Sequence, residues 1–135
     1  LSALSTSLLR VQHALFNLGS ILATLPEDVG PTMPRVDSSD VQWLESEIDL
    51  ATGELPALKS FVLPGGNRAS TDLHLARTVC RRAERLAVTL ARQDPEIDPW
   101  VVKYLNRLSD ALFVWSRQAV VALGHPETLW APNEA

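Results

Sequence analysis

Cysteine is almost absent from this sequence of 135 residues, which contains Cys80 alone. A single thiol cannot form an internal disulfide framework or a cysteine-rich metal site, so we expect a reducing compartment. Long apolar runs are lacking too, and no stretch is long enough to cross a bilayer as a helix. The first residues also lack the basic and then apolar pattern of a secretory signal peptide. These absences predict a cytoplasmic protein that binds no membrane.

Histidine and aromatic residues are also few. The three histidines, His13, His74 and His125, lie far apart and do not have the spacing of metal ligands. We therefore predict no metal site built from side chains. The four tryptophans are too scattered for a stacking platform, and the helical pattern around Trp115 places that residue in the core.

The charge of the chain is unevenly distributed. The net charge is −4, with −6 in residues 1–55 and +2 in residues 56–135. Nucleic-acid binding requires a broad basic surface, so the overall acidity disfavours that class of function. Residues 77–85 nevertheless carry +3. A local cationic cluster in an acidic chain indicates a compact anionic ligand.

Four segments repeat apolar residues at steps of three and four, which is typical of amphipathic helices. They run from Leu4 to Leu25, from Ser39 to Ala51, from about Ser70 to about Arg92, and from Pro99 to Ala122. No segment shows strand alternation over a useful length. We predict an all-α protein, an up-and-down helical bundle that forms a single domain over residues 1–135.

Local signals mark the ends and contacts of these helices. Ser39 and Gln42 have the spacing of a capping box, which predicts the start of the second helix. Asp98 and Pro99 suit the N-cap and first position of the fourth helix. Small residues such as Ala83 on the third helix predict that a neighbouring helix approaches it closely.

The third helix carries the cationic cluster. Arg77, Arg81 and Arg85 are spaced by four residues, which predicts that they share one face, with Arg82 and Glu84 beside them. Like charges at this spacing repel, and guanidinium groups match the oxygens of phosphate in pairs. The spacing alone leaves two interpretations open. The face binds a phosphate-rich ligand, or it is a solvated surface with acidic neighbours.

Two further segments contain polar or apolar groups that could extend such a site. Asn106 and Asp110 share a face of the fourth helix with Arg107 beside them. The asparagine could contact a nucleotide, whereas we expect Asp110 to neutralise an arginine. Phe61 lies just before the turn Pro64-Gly65-Gly66, which lacks the lysine of a phosphate-binding loop, and its ring could line a pocket.

Taken in order, three motifs resemble the PduO-type ATP:cob(I)alamin adenosyltransferases. The motifs run from Leu55 to Gly66, from Leu73 to Arg85 and from Tyr104 to Asp110. Gln12 and Leu18-Gly19 in the first helix also fit. The resemblance covers most of the chain, and the order and separation of the three motifs make it specific.

The resemblance implies a fold, a reaction and partners. The family's fold is a ferritin-like five-helix bundle that assembles as a homotrimer with active sites between subunits. In this family cob(I)alamin attacks C5′ of ATP, which gives adenosylcobalamin and releases triphosphate. MgATP and cobalamin are the substrates, and Mg²⁺ is held through the phosphates. A flavoprotein reductase and an adenosylcobalamin-dependent enzyme are the implied partners, in the cytoplasm of a bacterium.

The resemblance also assigns expected roles to residues of this chain. Phe61 closes the space beneath the corrin ring and, with Arg85, is an expected catalytic residue. Arg77 and Asp110 are expected to give polar support within or between subunits. The expected ATP-binding residues are Arg81, Arg82, Glu84, Arg85 and Asn106.

One feature of the family has no counterpart in this sequence. Family members carry a Thr-, Gly- and Asp-rich ATP-binding loop before the first bundle helices, and nothing here matches it. The expectation is therefore that an N-terminal part of the nucleotide site is missing from these residues. This departure leaves an alternative function open, namely a non-catalytic corrinoid-binding or interaction module with the same helical fold.

Overall fold

The computed structural model describes residues 1–134 and contains four α-helices. They are α1 (Ser2–Leu22), α2 (Ser38–Gly53), α3 (Arg68–Gln93) and α4 (Pro99–Ala122), with a 3₁₀ turn at Pro26–Asp28. The predicted all-α class is confirmed. The described residues hold four helices, as the periodicity predicted, rather than the five that the resemblance implied. None of these four is long and apolar enough to span a membrane.

The start of α2 differs from the sequence prediction. Asp37 is the N-cap, and its carboxylate accepts hydrogen bonds from the amide and the hydroxyl of Ser39 at 2.9 and 2.6 Å. Asp40 completes the capping box by accepting from the Asp37 amide at 3.0 Å. The predicted pair of Ser39 and Gln42 was wrong because Ser39 already lies inside the helix. The hydrogen bonds from Ser39 lower the pKa of Asp37.

The helices α3 and α4 form an antiparallel pair. Residues 94–98 connect them directly, so the end of one helix leads into the start of the other. The start of α3 lies beside the end of α4, where Asn67 donates to the carbonyl of Ala119 at 3.0 Å. Further along, the Cys80 thiol donates to the carbonyl of Leu105 at 3.3 Å. Residues far apart in sequence can therefore meet along this helix pair.

The core is centred on α4, which is buried along most of its length. Trp115 is 2% exposed, as its sequence position predicted, and its ring lies 6.4 Å from that of Trp43 on α2. Cys80 also lies in this core, where burial and, to a smaller extent, the charge of Glu84 raise its pKa to about 11. The thiol is therefore a buried apolar group and not a reactive nucleophile.

An open apolar groove separates part of α1 from α3. The groove has a volume of about 800 Å³. Ala76 and Ala83 line this groove, and Ala83 also packs against the core. On the same face of α3 the neighbouring helix α4 does approach closely, where the Cys80 thiol reaches the carbonyl of Leu105. The small side chains of α3 leave space that the described residues do not fill.

Candidate functional site

A cationic cleft lies on the outer side of the α3–α4 pair, with a volume of about 460 Å³. Its position follows from helical spacing, because α3 residues at steps of three and four face the same direction. Four of the expected ATP-binding residues line the cleft together with Arg92, which was not predicted. The lining consists of Arg81, Glu84, Arg85, Val88, Thr89, Arg92 and Asn106.

Hydrogen bonds fix the polar edge of the cationic cleft. Asn106 donates from Nδ2 to Glu84 Oε2 at 3.0 Å, which joins α4 to α3. Its Oδ1 accepts from Nε and Nη2 of Arg107 at 3.2 and 3.1 Å. Arg107 also pairs with Asp110, so the expectation that Asp110 neutralises an arginine is confirmed. The side chain of Asn106 is thereby held in one orientation.

The charge of the cleft is not balanced by neighbouring carboxylates. Its lining contains three arginines and one acidic residue, Glu84. Within residues 1–134, Arg81, Arg85 and Arg92 form no ion pair at 4.0 Å or less. Among residues 1–134, Glu84 shares the cleft with these arginines, but no carboxylate pairs directly with their guanidinium groups. Three guanidinium groups over three turns of helix form a surface suited to a polyanion.

Arg77 and Arg82 lie outside the lining of the cationic cleft. The guanidinium of Arg77 lies 4.8 Å from the ring centre of Phe113, and its buried Nε has no hydrogen-bond partner among the described residues. His74, one turn earlier, meets the edge of the same ring at 6.4 Å. Burial and then the charge of Arg77 lower the pKa of His74. Arg82 is exposed to solvent.

Phe61 lies on a separate loop before α3, and its side chain is 76% exposed. Its ring centre lies 6.0 Å from that of Trp130, which follows α4. The loop joins α3 at Asn67, and Arg81 lies about 20 Å further along the helix axis at 1.5 Å per residue. The aromatic loop and the cationic cleft are thus distinct regions connected by one helix.

The described residues offer no cluster of three or more His, Cys, Asp or Glu side chains that could hold a metal ion. Glu84 is the carboxylate in the cleft lining, and it is engaged by Asn106. Mg²⁺ commonly binds through one or two carboxylates together with substrate phosphates. A divalent cation bound here would therefore depend on a phosphate-bearing ligand for most of its coordination.

The fold and the cleft define a helical-bundle protein with a preformed cationic surface. The family model for cobalamin adenosyltransferase matches residues 1–119. The corrinoid adenosyltransferase of Mycobacterium bovis is 47% identical over 132 residues, which is 95% of this chain and 66% of the relative. That of Bacillus subtilis is 44% identical over 114 residues, which is 84% of this chain and 57% of the relative.

Solved structures of adenosyltransferases are similar to this chain as well. A variant of the PduO-type ATP:corrinoid adenosyltransferase from Lactobacillus reuteri, complexed with cobalamin and ATP, has a TM-score of 0.89 and 37% identity. The match covers 97% of this chain and 70% of that structure. The chain belongs to the cobalamin adenosyltransferase family and resembles its PduO-type members. It spans 57% to 66% of the length of the two relatives described above.

Proposed function

We propose that this chain transfers the 5′-deoxyadenosyl group of ATP to cob(I)alamin. In this reaction the cobalt electron pair attacks C5′, a cobalt–carbon bond forms, and the C5′–oxygen bond breaks with its electron pair leaving on triphosphate. The observation that carries the proposal is the cationic cleft in a chain of this family. Its three arginines form no ion pair with any carboxylate of residues 1–134.

The cationic cleft suits the leaving group of this reaction. Negative charge grows on the triphosphate as the C5′–oxygen bond breaks, and fixed arginines aimed at that charge lower the barrier. We assign the phosphate contacts to Arg81 and Arg85, which line the same cleft as Glu84 and Asn106. Arg92 extends this surface by a further two turns. The ATP contact expected of Arg82 stays a prediction, because its side chain lies outside the lining.

Phe61 is the residue that we assign to the corrinoid. Its exposed ring is available to a flat apolar ligand, and Trp130 widens the same apolar surface. A ring placed under the cobalt excludes water and a lower axial ligand, which makes reduction to the nucleophilic cob(I)alamin easier. The cobalt supplies the difficult chemistry, and the protein positions and desolvates it.

We also propose a homotrimer with its active sites between subunits. The aromatic loop and the cationic cleft of one chain lie about four helical turns apart along α3, which favours a site shared between copies. The buried Nε of Arg77 lacks a partner among residues 1–134, so an acceptor from a second subunit would satisfy it. Sedimentation velocity tests the assembly, and a monomer at all concentrations would contradict it.

The remaining expectations depend on the proposed activity. Mg²⁺ would enter with the triphosphate and share its charge with the arginines. Cob(I)alamin is a strong reductant that must be generated nearby, so a flavoprotein reductase is the expected supplier of electrons. An adenosylcobalamin-dependent enzyme is the expected consumer of the product. Bacterial cytoplasm provides the reducing conditions that this sequence of events requires.

A visible-spectrum titration tests the proposed function. With MgATP present, the protein should shift cob(II)alamin toward the base-off, four-coordinate form, and reduction should yield adenosylcobalamin. Phe61→Ala should lose most of the spectral shift while its affinity for MgATP stays unchanged, because the cationic cleft is intact. Phe16→Ala is the matched control, since Phe16 is an equally exposed ring on α1.

The outcomes of this titration separate the two functional hypotheses. A spectral shift with no adenosylcobalamin after reduction would identify the non-catalytic corrinoid-binding module. The absence of both the shift and the product from the wild-type protein would contradict the adenosyltransferase proposal. Equal loss of the spectral shift in Phe61→Ala and Phe16→Ala would show that the ring of Phe61 has no specific role.

A further inference from the structure

A buried ion pair fixes the segment that follows α4. Arg117 of α4 is 6% exposed, and its partner Glu127 has a side chain 12% exposed. The guanidinium donates to both carboxylate oxygens of Glu127, from Nε at 2.7 Å and from Nη2 at 3.1 Å. Nη2 also donates to the carbonyl of Pro56 at 2.7 Å. One side chain of α4 thus holds two separate stretches of chain.

A buried ion pair is weak evidence of added stability, but its geometry restricts where Glu127 can lie. Removing two charges from water is costly, and the attraction between them compensates only when the geometry satisfies their hydrogen-bonding groups. The paired contact of Arg117 with Glu127 and the third contact with Pro56 meet that condition. Any other placement of Glu127 would leave Arg117 buried without its counter-ion.

The segment held by Glu127 is paired with the backbone around Phe61. The amide of Leu63 donates to the carbonyl of Thr128 at 2.8 Å, and the amide of Trp130 donates to the carbonyl of Phe61 at 2.7 Å. The hydroxyl of Ser60 adds a hydrogen bond of 2.8 Å to the carbonyl of Trp130. Residues 60–63 and 128–130 therefore run side by side as a short antiparallel pair.

The other end of the Phe61 loop is fixed to α4 as well. Gly66 has φ +95°, and a Cβ atom there would lie 2.8 Å from a methyl group of Val120, so the backbone approaches α4 closely. Asn67 then contacts the carbonyl of Ala119 at 3.0 Å. After Phe61, the loop is thus anchored to α4 itself, and before Phe61 it is anchored by the contact of Arg117 with Pro56. The segment held by Glu127 supports the middle of the loop.

We propose that Arg117 and Glu127 are positioning residues for Phe61. They act through residues 128–130, which hold the backbone of Phe61 so that its exposed ring is presented in one orientation beside Trp130. An exposed aromatic side chain has little packing of its own, so its direction depends on the backbone that carries it. The functional part of this inference rests on the proposed corrinoid role of Phe61, whereas the positioning itself is a property of the free protein.

Glu127→Gln tests the positioning role, because the amide retains the shape of the side chain and removes its charge. In the free variant, the amides of Leu63 and Trp130 should exchange with deuterium about tenfold faster, while those in the centre of α4 stay protected. Asp72→Asn is the matched control, since Asp72 forms an exposed ion pair with Arg68. The control should leave both amides unchanged.

The double variant Arg117→Leu with Glu127→Leu covers the case in which a lone buried arginine prevents folding. It removes both charges together, which avoids the uncompensated arginine. The double variant should fold and should show the same faster exchange at Leu63 and Trp130. Slow exchange at both amides in this variant would contradict the positioning role.

The functional readout follows the same variants in the presence of cob(II)alamin and MgATP. Glu127→Gln should reduce the base-off spectral shift at least several-fold and leave the affinity for MgATP unchanged, because the cationic cleft lies elsewhere on α3. Unchanged amide exchange at Leu63 and Trp130 in Glu127→Gln would overturn the inference, and this measurement requires no corrinoid. Faster exchange together with a full spectral shift would overturn the link to Phe61. A wild-type protein that shows no shift would overturn the proposed function, and the exchange data would still decide the positioning.

Discussion

Arg77, Arg81 and Arg85 illustrate how far helical spacing predicts a site at the scale of single residues. Each step of four residues turns about 40° beyond a full rotation, so the first and third arginines point about 80° apart. The cationic cleft therefore takes Arg81 and Arg85, whereas Arg77 lies over Phe113. The prediction omitted Arg92, although it follows Arg81 by three helical turns and Arg85 by two, so helical spacing places it on the same face.

Arg85→Ala should weaken the binding of MgATP by about 10- to 100-fold, because a hydrogen bond between charged groups contributes about 1.5–3 kcal/mol. Isothermal titration calorimetry of the wild type and the variant measures this loss. Arg68→Ala is the control, since Arg68 is exposed at the start of α3 and pairs with Asp72. An unchanged affinity in Arg85→Ala would indicate that the cationic cleft is a solvated surface.

At the scale of elements, local sequence signals predicted the helices better than their ends. Apolar periodicity identified the four described helices, because each one buries part of an apolar stripe in the core. The start of α3 was placed near Ser70, but the helix begins at Arg68 with Asn67 as its N-cap. The pairing of residues 60–63 with 128–130 was not predictable either, because it joins segments that are distant in sequence.

Asn67 combines a local cap with a tertiary contact, and two variants separate these roles. Its Oδ1 accepts from the amide of Ser70 at 2.8 Å, and its Nδ2 donates to the carbonyl of Ala119 at 3.0 Å. Asn67→Ala removes both bonds and the contact of Nδ2 with His125 Nδ1 at 3.2 Å, and it should lower the free energy of unfolding by about 1–3 kcal/mol. Asn67→Asp retains the cap and removes the donor, so its loss should be smaller. Denaturant unfolding measures both values, and equal losses in the two variants would contradict a separate role for the cap.

At the scale of the whole molecule, the sequence revealed apolar faces but not which element covers each one. Ala76 and Ala83 have the small side chains of a tight helix contact, yet they line the groove of about 800 Å³ beside α1. The same limit applies to the candidate site. Part of the cationic cleft and Phe61 could be named from motifs, whereas the support of Phe61 by Glu127 depends on how the chain returns after α4.

Global stability should fall as the pH is lowered from about 7.5 toward 5, and His74 should contribute to that fall. Burial and the charge of Arg77 lower its folded pKa below the usual value of 6.5. Between the folded and unfolded pKa values the unfolded chain binds more protons, so the free energy of unfolding rises with pH in this window and levels off above it.

His74→Gln should reduce the slope of the unfolding free energy against pH. The reduction should be smaller than the limit of about 1.4 kcal/mol per pH unit, because the half-buried ring is partly screened by solvent. Denaturant unfolding at several pH values gives the slope, with His13→Gln on the exposed side of α1 as the control. The substitution also changes packing against Phe113, so the slope is compared and not the absolute stability. An identical slope in the wild type and His74→Gln would exclude a contribution of His74 to the pH dependence.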